Sequence, residues 1–148
     1  MRASEDGGVT LLRSVGLRVT APRLAVLAAI PPGRHLDADT IARAVRAELG
    51  RVSTQAVYDV LNALTTAGLL RRVELPGQPA ARYDRRVADN HHHLVCRGCG
   101  DVTDVDCASG APPCLAPTDA AGYLVEEAEV IYWGRCPGCQ AERRPHDP

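Results

Sequence analysis

The chemistry of this chain is concentrated in one run, His91-His92-His93-Leu94-Val95-Cys96-Arg97-Gly98-Cys99, and in a second Cys-x-x-Cys pair, Cys136-Pro137-Gly138-Cys139. Two such pairs have the ligand count and bite of a tetrahedral four-cysteine zinc site. The chain between them is longer than in a simple zinc ribbon, so it must fold to bring the pairs together. Disulfides or unrelated thiols are the alternatives. Read as a strand, the run sends His91, His93 and Val95 to one face and His92, Leu94 and Cys96 to the other. One strand then serves two metals, with sulfur on one side and a His-x-His site on the other. Thiolates suit a closed structural zinc; imidazole with carboxylate suits an exchangeable, redox-active cation. For the histidines the alternative is a solvated polar run.

The elements that must position these residues fit a chain of 148 residues, one ordinary domain or two small ones. There is no Phe and little aromatic content, so the core must be built from Leu, Val, Ala and Ile. A small core of that kind gains from a metal clip. Six cysteines occur without an apolar leader after Met1 and without a run long enough to span a membrane. The expected compartment is therefore a reducing cytoplasm, where paired cysteines read as metal ligands. Every basic residue is Arg, and the charge is lopsided. Residues 1–86 hold 13 Arg against 8 acidic residues, a net of +5; residues 87–148 hold 4 against 10, a net of −6. A basic first half suggests a polyanion-binding module.

Periodicity predicts a short helix over 9–15, a second from the Thr20 cap to about Ile30, and a third from Asp37 to Gly50. The fourth starts at Ser53 and runs from Thr54 to about Ala67. Val57, Val60, Leu61 and Leu64 make the apolar stripe of the fourth, opposite Thr54, Gln55, Tyr58, Asp59 and Asn62. Residues 69–75 and 80–84 read as two strands around Pro76-Gly77-Gln78-Pro79. Helices followed by a hairpin is the order of a winged helix, whose last helix enters the DNA major groove. The uncharged, hydrogen-bonding face suits base edges, and Arg18, Arg23 and Arg51 suit phosphates. A polar linker over 85–90 sets the boundary between domains 1–86 and 87–148. Beyond it, strands are expected at 91–96, 101–106 and 123–133, with a Pro/Gly-rich segment at 108–122 and a zinc knuckle at 134–139. The Arg/Pro tail frays. Three strands clipped by a metal leave an edge that a two-fold dimer would cover. The fold class expected is α+β: a winged-helix DNA-binding domain, then a small three-stranded α/β dimerisation domain with a four-cysteine zinc site.

These motifs together resemble the ferric uptake regulator family of metal-dependent repressors. The resemblance rests on Leu17-Arg-x-Thr-x-Pro-Arg23, His35, Ser53-x-x-Ala-Val-Tyr58 with Leu61 and Leu64, and Gly68-Leu-Leu70. It continues through Arg82-Tyr-Asp84, His91-x-His-x-x-Cys96-x-x-Cys-Gly100, Asp104 and Gly134-x-Cys136-x-x-Cys139. It implies a structural zinc on Cys96, Cys99, Cys136 and Cys139. It further implies a regulatory Fe(II) or Mn(II) on His35, Asp84, His91, His93 and Asp104, between the domains. In the DNA-binding part it singles out Arg18, Arg23, Ser53, Thr54, Gln55 and Tyr58, with Tyr58 at the bases and Arg18 at the minor groove. An Asp at position 104 looks like the peroxide-responsive branch. The tract Gln55-Ala-Val-Tyr-Asp-Val-Leu61 and the Cys107–Cys114 insert resemble the actinobacterial members that repress catalase–peroxidase genes. Three departures stand out: Asp59 where many members carry Arg, Ala128 near a His ligand of an additional metal site in some members, and the Pro-rich 108–122 in place of a helix.

The function expected is a homodimeric, operator-binding repressor. Its regulatory metal closes two modules, and peroxide releases them by oxidising His35 or His91. An iron, zinc or nickel uptake regulator without peroxide sensing is the alternative. An enzyme is not expected, since five protein ligands leave little room at the metal and no candidate nucleophile or base stands out. Cys107 and Cys114 read as plain loop cysteines before a redox or ligand role.

Overall fold

The computed structural model describes residues 2–85, 91–109, 113–126 and 128–142, with residues 2–6 described by backbone alone. The linker expected at 85–90 lies, from residue 86 on, outside the described residues, as do the tail 143–148 and residue 127 of the third expected strand. The chain divides into two compact units, Met1–Val87 and Ala88–Pro148.

The first unit is four helices and a small sheet. Helix α1 spans Arg2–Ser14, α2 Ala21–Ala29, α3 Ala38–Leu49 and α4 Thr54–Thr66. Helix α1 begins well before the position expected, because Gly7-Gly8 does not break it. Gly8 is buried, and a Cβ there would meet Leu24 Cδ2 at 3.0 Å. The glycine that lowers helix propensity therefore lets α1 approach α2. Thr20 stands at the N-cap of α2 but makes no side-chain capping bond; Pro22 in the first turn helps fix the helix start. Asp37 and Ser53 do cap: their side chains accept from the Thr40 and Ala56 amides, at 2.7 and 3.0 Å. The Thr40 amide holds the Asp37 carboxyl below its ordinary value. Gly50 closes α3 at φ +80, a left-handed conformation that a β-carbon resists.

The core forms where the helical stripes meet. Leu12, Val26, Ile30, Ile41, Val45, Val57, Leu61 and Leu64 are all 0–1% exposed, with Tyr83 packed among them. Burying one such aliphatic side chain contributes about 1.5–3 kcal/mol. Strands β2, Arg71–Val73, and β3, Arg82–Asp84, form the wing and are shorter than expected. Sequence patterning missed β1, Leu36–Asp37, which pairs antiparallel with β3 to give the order β1-β3-β2. Two residues carry no periodicity, so only the pairing reveals this strand.

The second unit is a three-stranded sheet ordered β5-β4-β6, with β4 at His91–Cys96, β5 at Val102–Asp106 and β6 at Ile131–Gly134. β5 runs antiparallel to β4 and β6 runs parallel to it. The third strand is much shorter than the expected 123–133. A parallel partner needs a crossover, and residues before Ile131 serve as connection. Among the described residues of 108–122 there is no helix. A five-residue helix α5, Pro137–Ala141, follows β6 and was not anticipated; Pro137 opens it and Cys136 caps it.

Candidate metal centres and nucleic-acid interface

The sulfur centre is assembled by register. Parallel pairing sets Cys96 beside Gly134, and the Arg97 amide extends the ladder to the Gly134 carbonyl at 2.8 Å. The Cys96–Cys99 turn and the Cys136–Cys139 helix start then face each other. Their four sulfur atoms lie within 4.8 Å of one another. All six cysteines of the chain are thiols, which removes the disulfide alternative; Cys99 and Cys136 sulfurs stand 3.8 Å apart. The Cys136 and Gly98 amides donate to Cys96 Sγ at 3.2 and 3.3 Å. Amides of Cys136, Cys99 and Gly98 hold the Cys96 thiol down to about 6. Hydrogen bonds from Cys136, then Cys96 and Cys99, push Cys139 up to about 12. Backbone amides thus favour the thiolate at Cys96, while the neighbouring sulfurs favour the thiol at Cys139. A cation that replaces those protons fits this set, and four thiolates at this spacing suit zinc. The turn has no room to spare: a Cβ on Gly98 would stand 2.7 Å from Cys139 Sγ. The Arg97 guanidinium lies 4.9 Å over the Trp133 ring and braces the same turn.

The imidazole centre is set out on two elements within the second unit. Antiparallel pairing puts Asp104 opposite His93 and Asp106 opposite His91. His91 and His93 share a face, as alternation requires, with rings 5.2 Å apart and edge to face. The Asp104 carboxylate lies 3.7 Å from His91 Nε2 and 3.8 Å from His93 Nε2. His91 is 4% exposed and His93 fully buried. In the first unit, β1 does the corresponding work. Leu36 pairs with Tyr83, so His35 falls beside Asp84, and its Nε2 stands 3.4 Å from the Asp84 carboxylate. Both side chains are fully buried. Carboxylates among imidazoles, shielded from water, suit a divalent cation with N and O ligands.

The candidate nucleic-acid face is the exposed side of α4. Ser53, Thr54, Gln55, Tyr58, Asp59 and Asn62 are exposed, opposite the buried Val57, Leu61 and Leu64. Gln55 Nε2 donates to Asp59 at 2.8 Å, and Arg46 donates to Thr54 Oγ1 at 2.7 Å and to the Val52 carbonyl at 3.0 Å. Arg23 donates to the Arg18 carbonyl at 2.7 Å and so ties the entry of α2 together. Sequence reasoning missed Arg46 as the support of the helix start. It also missed a third cluster, His92 with Cys107 and Cys114. The signal for the second was present: His92 occupies the strand face opposite His91 and His93.

Residues 14–110 match the pattern of the ferric uptake regulator family. The chain is 59% identical over 128 residues to the transcriptional regulator FurA of Mycobacterium tuberculosis, covering 86% of each. It is 58% identical over 123 residues to ferric uptake regulation protein 1 of Mycolicibacterium fortuitum, covering 83% of this chain and 76% of that one. Among solved structures, a ferric uptake regulator from Francisella tularensis superposes with a TM-score of 0.66 at 20% identity, over 84% of this chain and 96% of the other.

Proposed function

The chain belongs to the ferric uptake regulator family, a family of dimeric, metal-responsive DNA-binding transcriptional regulators and not of enzymes; from that premise we propose that it is a cytoplasmic repressor whose regulatory metal is read out by peroxide. No helix among the described residues is long and apolar enough to cross a membrane. In this reading residues 1–86 are the DNA-binding domain and residues 87–148 the dimerisation and metal-binding domain. The observation that carries it is that both units hold buried imidazoles against carboxylates, His35 with Asp84 in one and His91 and His93 with Asp104 in the other. A cation bound by all five side chains forms only when the two units close. To move a closed state from one per cent to ninety-nine per cent, the metal must bind it about 10⁴-fold more tightly than the open state, some 5.5 kcal/mol. Closure in a dimer then fixes the spacing of two α4 helices on successive grooves.

On DNA, Tyr58 and Thr54 reach base edges and Arg18 and Arg23 reach phosphates. Gln55 donates to Asp59, which leaves its amide oxygen as the acceptor presented outward. An acceptor reads the exocyclic amine of adenine or cytosine. Asp59 thus aims a base-reading group, at the position where other members carry a phosphate-binding Arg. The exposed Leu94 and Tyr132, paired across β4 and β6, supply the apolar surface for dimerisation.

Three imidazoles and two carboxylates suit Fe(II) or Mn(II), with zinc kept to the four cysteines. Bound Fe(II) supplies the peroxide chemistry: net, hydrogen peroxide transfers one oxygen atom to an imidazole carbon and leaves as water. The modified His35 or His91 is a poorer ligand, the units reopen, and oxidative-stress genes of the catalase type are released. The test is operator affinity with Mn(II), Fe(II), Zn(II) and no metal, each with and without peroxide. The expected result is loss of binding in the Fe(II)–peroxide sample alone, with one added oxygen on a His35- or His91-containing peptide. Metal-dependent binding that ignores peroxide leaves an uptake regulator, as the names of several relatives have it.

A further inference from the structure

We propose that His92, Cys107 and Cys114 form a third metal site, for a thiophilic cation of the zinc class. Their donor atoms lie within 4.8 Å of one another. His92 Nε2 and Cys114 Sγ are 3.0 Å apart, close enough for one ion to bridge them. His92 is 4% exposed, so this imidazole is held inside the unit and not offered to solvent. Strand alternation turns it away from His91 and His93, which makes the site distinct from the imidazole–carboxylate set. Its ring is fixed edge-on to Tyr132 at 6.4 Å. Cys107 directly follows β5, the neighbour of β4, and Cys114 returns to the His92 ring from the loop beyond. Both cysteines are thiols and only partly exposed.

The donor set differs from both other centres. Two thiolates and one neutral imidazole with a dication give a complex of zero net charge, suited to a partly buried position. They leave one tetrahedral position for solvent or an incoming donor. Soft sulfur ligands select zinc-class ions over Fe(II) or Mn(II). A cation here ties the loop after β5 to the central strand of the sheet, on the face behind His91 and His93. The sulfur-free regulatory set answers to hard divalent ions; this site answers to thiophilic ones.

The experiment is cobalt titration of the full-length protein purified under reductant, with zinc retained on the four paired cysteines as checked by elemental analysis. Wild type is expected to develop sulfur-to-cobalt charge-transfer absorption while that zinc stays in place. The regulatory set holds no sulfur and adds nothing to the band, so H35A keeps it even if the peroxide reading fails. C107S/C114S is expected to lose the band and an equivalent of zinc at saturation, and C114S alone gives the same loss should the double variant misfold. H92A weakens cobalt binding about tenfold or more. A band unchanged in C107S/C114S or C114S, no band in wild type, or a Cys107–Cys114 disulfide persisting under reductant would each overturn the proposal.

Discussion

Two chemistries share strand β4, and they are built in opposite ways. The sulfur centre draws its ligands from two tight turns, each anchored by backbone amides on sulfur and braced by register with Gly134. Even one added carbon, a Cβ on Gly98, would crowd Cys139 there. The imidazoles stand on or next to strands, His35 against Asp84 in one unit and His91 and His93 against Asp104 in the other, and the proposed function takes them as one ligand set. A ligand set complete within one unit serves stability. A set divided between units, as that proposal has it, would make their arrangement depend on the metal. The difference lies in which parts of the chain the ligands come from, more than in how many there are.

The largest effect expected is on the sulfur side. Zinc binding in small zinc domains supplies about 10–16 kcal/mol at neutral pH. C96S should lose its zinc and the cooperative thermal transition of the second unit, read by elemental analysis and near-ultraviolet circular dichroism. A variant that keeps its transition would erase the contrast. Next, H93A and H35A should each lower metal-dependent operator affinity by about ten- to a hundredfold while zinc content and melting temperature hold. If either variant melts like C96S, the imidazole set is structural as well. Third, Q55A should cost about 1–3 kcal/mol of operator binding at every metal concentration, without moving the metal midpoint. A shifted midpoint would tie α4 to the metal itself. The smallest effect is in pH. The Cys96 thiol is held at about 6 against an ordinary 9.0. Depression of that kind favours the metal-free fold as pH rises from about 6 to the ordinary 9.0, above which the raised Cys139 offsets it, and the gain is lost as pH falls through about 6. Thiolate absorbance of metal-free protein should show one such group, and C99A, which deletes its side-chain donor, should move it upward.

Much of this was legible in the residues because it depends on local patterns. Caps at Asp37 and Ser53, the stripe of α4, the alternation of His91 and His93 and the pairing of the cysteines are all read within a turn or a strand. What was not legible depends on distant partners. Strand β1 exists because β3 comes to lie beside it, and Gly7-Gly8 is helical because Leu24 packs there. The expected strand over 123–133 has β-forming residues, but its described part before Ile131 is coil, since only Ile131–Gly134 finds a place beside β4. His92 reads as a face-mate of Cys96, yet its sulfur neighbours arrive from a loop whose spacing carries no motif.

Because β6 lies parallel to β4, the sheet cannot close until the long stretch between them has been made. During synthesis the first cysteine pair emerges early and must wait, reduced and uncoordinated, for Cys136 and Cys139. Until then β4 is a half-made sheet bearing three imidazoles and two thiols, open to whichever cation the nascent chain meets first. Completion of the sulfur set thus waits on the strand made last in this sheet.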